Sequence, residues 1–339
     1  MLFLDSLNQY LSRALSVDNN VILLGEDIED PYSGAFKVTK GLSSKFPGRV
    51  RNMPISEQAI CGIGAGMAVG GLKPVIEIMF GDFLSLCFDQ ILNHISKFPW
   101  MFNNKVNCPL VIRTPMGGRR GYGPTHSQSI EKHFIGIPGI KVVSPSLYHN
   151  PGKMLLDAIR DLSPVLFIET KRLYASQLVD KEGIVWDRQV IGGVYPTIRY
   201  ATDGFNGASG ITIVVYGGMA DIVVNICEGL FMDEELHFDI FIVGDLTSPP
   251  YDNILSSVRN TGRLCVIEEG GRRLGWGAEV VSSVFELSKE TRGKITAKRI
   301  AARDLPIPAN PLLENQVLPS KEYIAKELKT MLGEGYDRS

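Results

Sequence analysis

Short apolar runs recur along the chain, separated by stretches with helical spacing. The first five runs are Val21-Ile22-Leu23-Leu24, Pro74-Val75-Ile76-Glu77-Ile78, Leu110-Val111-Ile112-Arg113, Lys141-Val142-Val143 and Val165-Leu166-Phe167-Ile168. Three more follow: Ile211-Thr212-Ile213-Val214-Val215, Phe238-Asp239-Ile240-Phe241-Ile242-Val243 and Leu264-Cys265-Val266-Ile267. Strands so continuously apolar are covered on both faces. Helical spacing spans 56–70, 83–98, 151–161, 221–233 and 278–289. Alternating strands and helices predict an α/β fold built on a mostly parallel, doubly wound sheet.

The alternation breaks between about Leu178 and Gly210, where residues 180–183, Val194-Tyr195-Pro196 and Asp203-Gly204-Phe205-Asn206-Gly207 bring turn residues and polarity. A first domain is expected over 1–180, a linker over 181–208 and a second, smaller domain over 209–339. A second interruption, 103–123, ends in the glycine-rich loop Gly117-Gly118-Arg119-Arg120-Gly121-Tyr122-Gly123. After Asp304 the Pro-rich stretch is predicted to cross the surface before a last helix from about Ser320. No internal repeat is present.

The chain has 339 residues, enough for two such domains, each with its own core. Its formal net charge of -2 gives no reason to expect a nucleic-acid or anionic-membrane partner. Five scattered cysteines lie mostly inside apolar runs and read as small buried thiols in a reducing compartment. The start, Met1-Leu2-Phe3-Leu4-Asp5, carries neither a secretory pattern nor an Arg-rich leader, and no run approaches ~18 apolar residues. The expected location is therefore cytoplasmic.

Several positions could carry chemistry. Ser56-Glu57 opens a helix whose face Gly62-Ile63-Gly64-Ala65-Gly66-Met67-Ala68 is nearly all small. An acidic first turn is also what the helix dipole favours, so this alone is equally a packing device. Met67 breaks the dinucleotide pattern that Gly62, Gly64 and Gly66 begin. His126 follows the glycine-rich loop, where an imidazole can move a proton near neutral pH or simply cap the next element. Met79 and Phe83 lie where a strand hands over to a helix, the edge at which α/β sheets bind ligands; core packing explains them as well. Glu268-Glu269-Gly270-Gly271 leads into a glycine-rich turn that could cradle an anion. No histidine pair has zinc-ligand spacing.

Taken in order, the motifs resemble the β subunit of the decarboxylating component of 2-oxo acid dehydrogenase complexes, the pyruvate, branched-chain and acetoin dehydrogenase family. The resemblance rests on Leu24-Gly25-Glu26-Asp27, Pro54-Ile55-Ser56-Glu57, Phe88-Asp89-Gln90-Ile91, His126-Ser127-Gln128-Ser129, Pro138-Gly139-Ile140-Lys141-Val142-Val143-Ser144-Pro145, Thr261-Gly262-Arg263-Leu264 and Gly275-x-Gly277-Ala278-Glu279, among others. It implies a transketolase-like pyrimidine-binding domain followed by a transketolase C-terminal domain. Thiamine diphosphate would be shared with an α subunit carrying the GDG and Asn-Asn diphosphate and Mg²⁺ motif, in an α₂β₂ heterotetramer. This chain lacks that motif, since Gly244-Asp245-Leu246 departs at its third position. Alone it is expected to be inactive.

By the same resemblance, Glu57 would hydrogen-bond the cofactor's aminopyrimidine, Phe83 would stack on that ring and Met79 would line the wall. His126 would face the 2-oxo acid, and a K⁺ ion would rest on backbone carbonyls around Leu110, Ala158 and Asp161. The acyl unit would pass to lipoamide on an acyltransferase core. The chain departs from the family pattern at Thr247, where arginine is common, at 97–104 and at Arg119-Arg120. These departures bear on substrate choice and on docking to that core. They leave open a carboligase or transketolase-like enzyme of a biosynthetic pathway, and a noncatalytic partner subunit.

Overall fold

A computed structural model of the chain describes residues 1–179, 185–207, 210–288 and 295–333. The expected turn at 180–183, the residue Lys289 at the end of an expected helix, and the expected domain start at residue 209 lie outside the described residues. The chain divides into two compact units. The first comprises Met1–Gly117, Thr125–Pro145 and Asn150–Leu178; the second comprises Gly118–Pro124, Ser146–His149 and Val179–Ser339.

The five N-terminal apolar runs become strands of one sheet in the first unit. They are β1 (Val21–Gly25), β3 (Lys73–Glu77), β4 (Val111–Met116), β5 (Lys141–Val143) and β6 (Val165–Thr170), with the short β2 (Val50–Asn52) at one edge. The order is β2-β1-β3-β4-β6-β5, and every pair is parallel. Continuous burial of β4 and β6 accounts for their unbroken apolar runs.

The helix Phe3–Val17, which strand-and-helix alternation alone does not predict, packs on the helix Pro151–Arg160. Gly152 permits this approach, because a Cβ there would lie 2.2 Å from the Ser6 carbonyl oxygen. The helix expected over 83–98 is a 3₁₀ segment, Gly81–Cys87, then a π-helical turn, Gln90–Ile95, and a short α-helix, Phe98–Met101. Leu84, Cys87, Ile91 and Ile95 are all buried, so the apolar spacing that suggested one helix serves two differently wound segments, the 3₁₀ and the π-helical one.

The second unit holds a mixed sheet of β7 (Trp186–Ile191), β8 (Thr197–Thr202), β9 (Ile211–Tyr216), β10 (Phe238–Val243), β11 (Arg263–Gly271) and β12 (Thr296–Ala302), ordered β12-β11-β9-β10-β8-β7. β9, β10, β11 and β12 pair in parallel, whereas β8 runs antiparallel to both β10 and β7. The stretch expected as a linker, 181–208, is thus corrected over its described part to a β-hairpin. Its outer strand is only partly buried and carries polar residues, which masked it as a strand. The core gathers Tyr200, Ile213, Val223, Ile240, Cys265 and Leu328.

The start of the glycine-rich loop is bound within this second unit. Gly118 N donates to Glu269 at 2.7 Å, Arg119 N to Glu314 at 2.7 Å, and the Arg119 guanidinium to the Pro319 carbonyl at 2.7 Å. Arg119, one of the departures from the family pattern, is therefore held by protein groups. All five cysteines are buried and free. Among the described residues no helix is long and apolar enough to cross a membrane.

Candidate active site

In the first sheet the chain leaves β1 toward β2 on one side and leaves β3 toward β4 on the other. Connections that part in opposite directions open a crevice beyond the carboxyl ends of β1 and β3. Glu26 directly follows β1, Ile78-Met79-Phe80 directly follow β3, and Glu57 opens the helix that returns the chain from β2 to β3.

Glu57 is the first residue of the helix Glu57–Val69, and the Ser56 hydroxyl accepts a hydrogen bond from Ala59 N at 3.4 Å. Capping and an acidic first turn both favour a helix start here. Glu57 is nevertheless largely withdrawn from solvent, at 7% exposure. Glu26 is equally buried, and its Oε1 has no hydrogen-bond partner among the described residues. Burial pushes the Glu26 carboxyl up, and the negative charges of Glu57, Asp27 and Glu77 push it further. Two carboxyls thus share one crevice. Glu26 belongs to the site although motif reading assigned it no role; an acidic residue ending an apolar strand was the available signal.

Aromatic rings form a second part of the site. The His126 ring meets Phe80 edge-on at 4.8 Å and Phe83 at 5.2 Å. Phe80 also contacts Phe36 at 5.7 Å, and Phe36 stacks on Tyr174 at 5.1 Å. Gln128 donates to Asp82 through its backbone at 3.2 Å and its side chain at 2.8 Å, tying the residues after His126 to the segment carrying Phe83. Met79 is half-buried next to Phe80 in sequence. The structure therefore brings His126 and Phe83 into direct contact. The helix that Glu57 opens packs on the 3₁₀ segment bearing Phe83.

Beneath these groups runs a buried charge ladder. Arg113, 1% exposed, grips Glu169 with two bonds of 2.8 and 2.6 Å and also pairs with Glu77. Tyr174 donates its hydroxyl to Glu169 at 2.5 Å. Glu77 thus fixes the end of β3 next to Glu26.

The proposed cation ligands lie elsewhere. Leu110 precedes β4 and its carbonyl accepts from Val165 N at 2.9 Å, at the amino ends of the strands. The Ala158 carbonyl accepts from Asp161 N at 3.2 Å, while the Asp161 carboxylate binds Lys141 at 2.6 Å. These three residues lie toward the amino ends of the strands, whereas Glu57 and His126 belong with the carboxyl ends. Among the described residues no cluster of three or more His, Cys, Asp or Glu has metal-binding geometry.

The transketolase pyrimidine-binding domain family matches residues 3–177, and the transketolase C-terminal domain family matches residues 206–324. The acetoin:2,6-dichlorophenolindophenol oxidoreductase subunit beta of Cupriavidus necator is 34% identical, over 97% of this chain and 96% of its own. The chain belongs to the transketolase-like family of dehydrogenase β subunits. Other members of this β-subunit family include the pyruvate dehydrogenase E1 component subunit beta-1, mitochondrial, of Arabidopsis thaliana, 33% identical over 96% of this chain and 87% of that one. The Bacillus subtilis acetoin:2,6-dichlorophenolindophenol oxidoreductase subunit beta is 31% identical over 97% of this chain and 96% of its own. A solved split-gene transketolase, described as an inactive beta4 tetramer, shares the fold with a TM-score of 0.73 at 18% identity, covering 98% of this chain and 99% of that chain.

Proposed function

We propose that this chain is the β subunit of a thiamine-diphosphate-dependent 2-oxo acid dehydrogenase, completed by an α subunit that holds the diphosphate and Mg²⁺. The reading rests above all on Glu57 and Glu26, two buried acidic residues at a sheet switch point in a β-subunit relative, of which Glu26 leaves a buried Oε1 without a hydrogen-bond partner among the described residues. Such a group is costly unless a ligand satisfies it. The residues therefore fit the aminopyrimidine half of the cofactor. Thiamine diphosphate, when bound, supplies a carbon nucleophile and an electron sink for decarboxylation.

Each side chain then has a task. Glu57 holds a proton at a pyrimidine ring nitrogen. Phe83 and Met79 offer the flat apolar wall, and with Phe80 they keep water away from the reacting groups. His126 contacts the Thr125 hydroxyl through Nδ1 at 2.9 Å, while Nε2 has no partner among the described residues. That nitrogen holds or moves a proton at an oxygen of the 2-oxo acid. The second lone pairs of the Leu110 and Ala158 carbonyls, with that of Asp161, would hold a K⁺ ion away from the chemistry.

The acyl unit passes to a lipoyl group on an acyltransferase core, in an α₂β₂ assembly. Buried free thiols suit a reducing compartment, and the cytoplasm is the proposed location. The direct test is Glu57→Gln in the assembled enzyme. Turnover falls by about 10²-fold or more while assembly persists; full turnover would remove Glu57 from the mechanism and favour a noncatalytic subunit.

A further inference from the structure

Lys171 follows β6 at the start of the 3₁₀ turn Lys171–Leu173 and is fully buried, at 0% exposure. A lysine is almost never buried to this degree unless its ammonium is engaged. Its Nζ donates to the backbone carbonyl of His126 and lies 5.2 Å from the centre of the Phe80 ring. Phe80 is in turn one of the two rings against which the His126 imidazole rests. One ammonium therefore fixes both the backbone that carries His126 and the ring that orients it.

We infer that Lys171 is a positioning residue for His126, acting through the His126 carbonyl and Phe80 without touching the substrate. The assignment rests on the role given to His126 above. The hydrogen bond holds the residue after the glycine-rich loop at a fixed height over the aromatic pair. The cation keeps Phe80 from turning, because an ammonium over a ring face is attracted by its quadrupole. Small errors in placing a proton-transfer group are expensive, since a shift of about 1 Å can reduce rate by about 10²-fold.

The test is a double-mutant cycle in the assembled α/β enzyme with thiamine diphosphate, using Lys171→Met and His126→Ala singly and together and measuring kcat and KM for the 2-oxo acid. Lys171→Met is expected to lower kcat/KM by about 10²-fold with assembly retained. In the His126→Ala background it should add less than about threefold, because the group it positions is gone. Lys171→Arg, keeping charge and donors, should recover most of the activity. An additive loss in the His126→Ala background, or no loss from Lys171→Met, would overturn the inference. If Lys171→Met does not assemble, Lys171→Gln, which removes the charge but keeps a polar side chain, carries the same cycle, and an additive defect there is equally fatal. A fully active His126→Ala enzyme sinks the reading of the site and Lys171 with it; an impaired His126→Ala beside an intact Lys171→Met sinks Lys171 alone.

Discussion

A carboxyl oxygen taken out of water without a hydrogen-bond partner destabilises the fold that contains it, and Glu26 Oε1 is such an atom among the described residues, with the charge of Glu57 close by. Glu26 has its protonation equilibrium raised by burial and then by its acidic neighbours. A folded-state value above the unfolded one means that the folded chain binds the extra proton. Stability from this group is complete below the ordinary carboxylate range and is lost as pH rises through the raised value. Glu26→Gln should accordingly raise stability at neutral pH and leave it unchanged in acid, as followed by denaturant unfolding at both pH values. Equal effects at both would show that Glu26 is not raised. His126 and Phe83 could be singled out from sequence because one follows a glycine-rich loop and the other a strand end. Lys171 could not, since Thr170-Lys171-Arg172 looks like a surface charge pair although Lys171 is fully buried. Only the register of β1, β3, β4 and β6 reveals what faces the crevice.

At the scale of elements, strands covered on both faces announced themselves as apolar runs, and all eight such runs are strands in the structure. The strands that escaped are β2, with two of its three residues exposed, the polar β7, β12, mostly half-buried, and β8, which is largely buried but has its apolar run broken by Thr197, Arg199 and Thr202. Their hydrogen bonding is set by neighbours distant in sequence, which periodicity cannot report. The inner strands are also bound by the ladder Glu77–Arg113–Glu169, which joins β3, β4 and β6. Arg113→Met would leave both carboxylates buried without their cation and should cost roughly 3–5 kcal/mol of stability. Denaturant unfolding of the isolated chain measures it. A cost under about 1 kcal/mol would mean that the ladder is dispensable.

For the whole molecule, the central claim is that this chain supplies only part of a catalytic centre. In the proposed reading Glu57, Phe83 and His126 hold a pyrimidine ring and move a proton, while the sequence has no GDG motif for a diphosphate and Mg²⁺. Relatives that match along nearly the full length bear the names of β subunits. The most direct measurement is decarboxylation of pyruvate and of a branched-chain 2-oxo acid, with thiamine diphosphate, Mg²⁺ and an artificial electron acceptor. It compares this chain alone, an α partner carrying the GDG and Asn-Asn motif alone, and the two mixed. Turnover in the mixture and in neither chain by itself is the predicted result; a stable mixture that turns over neither acid, or full activity of the partner without this chain, would contradict the account.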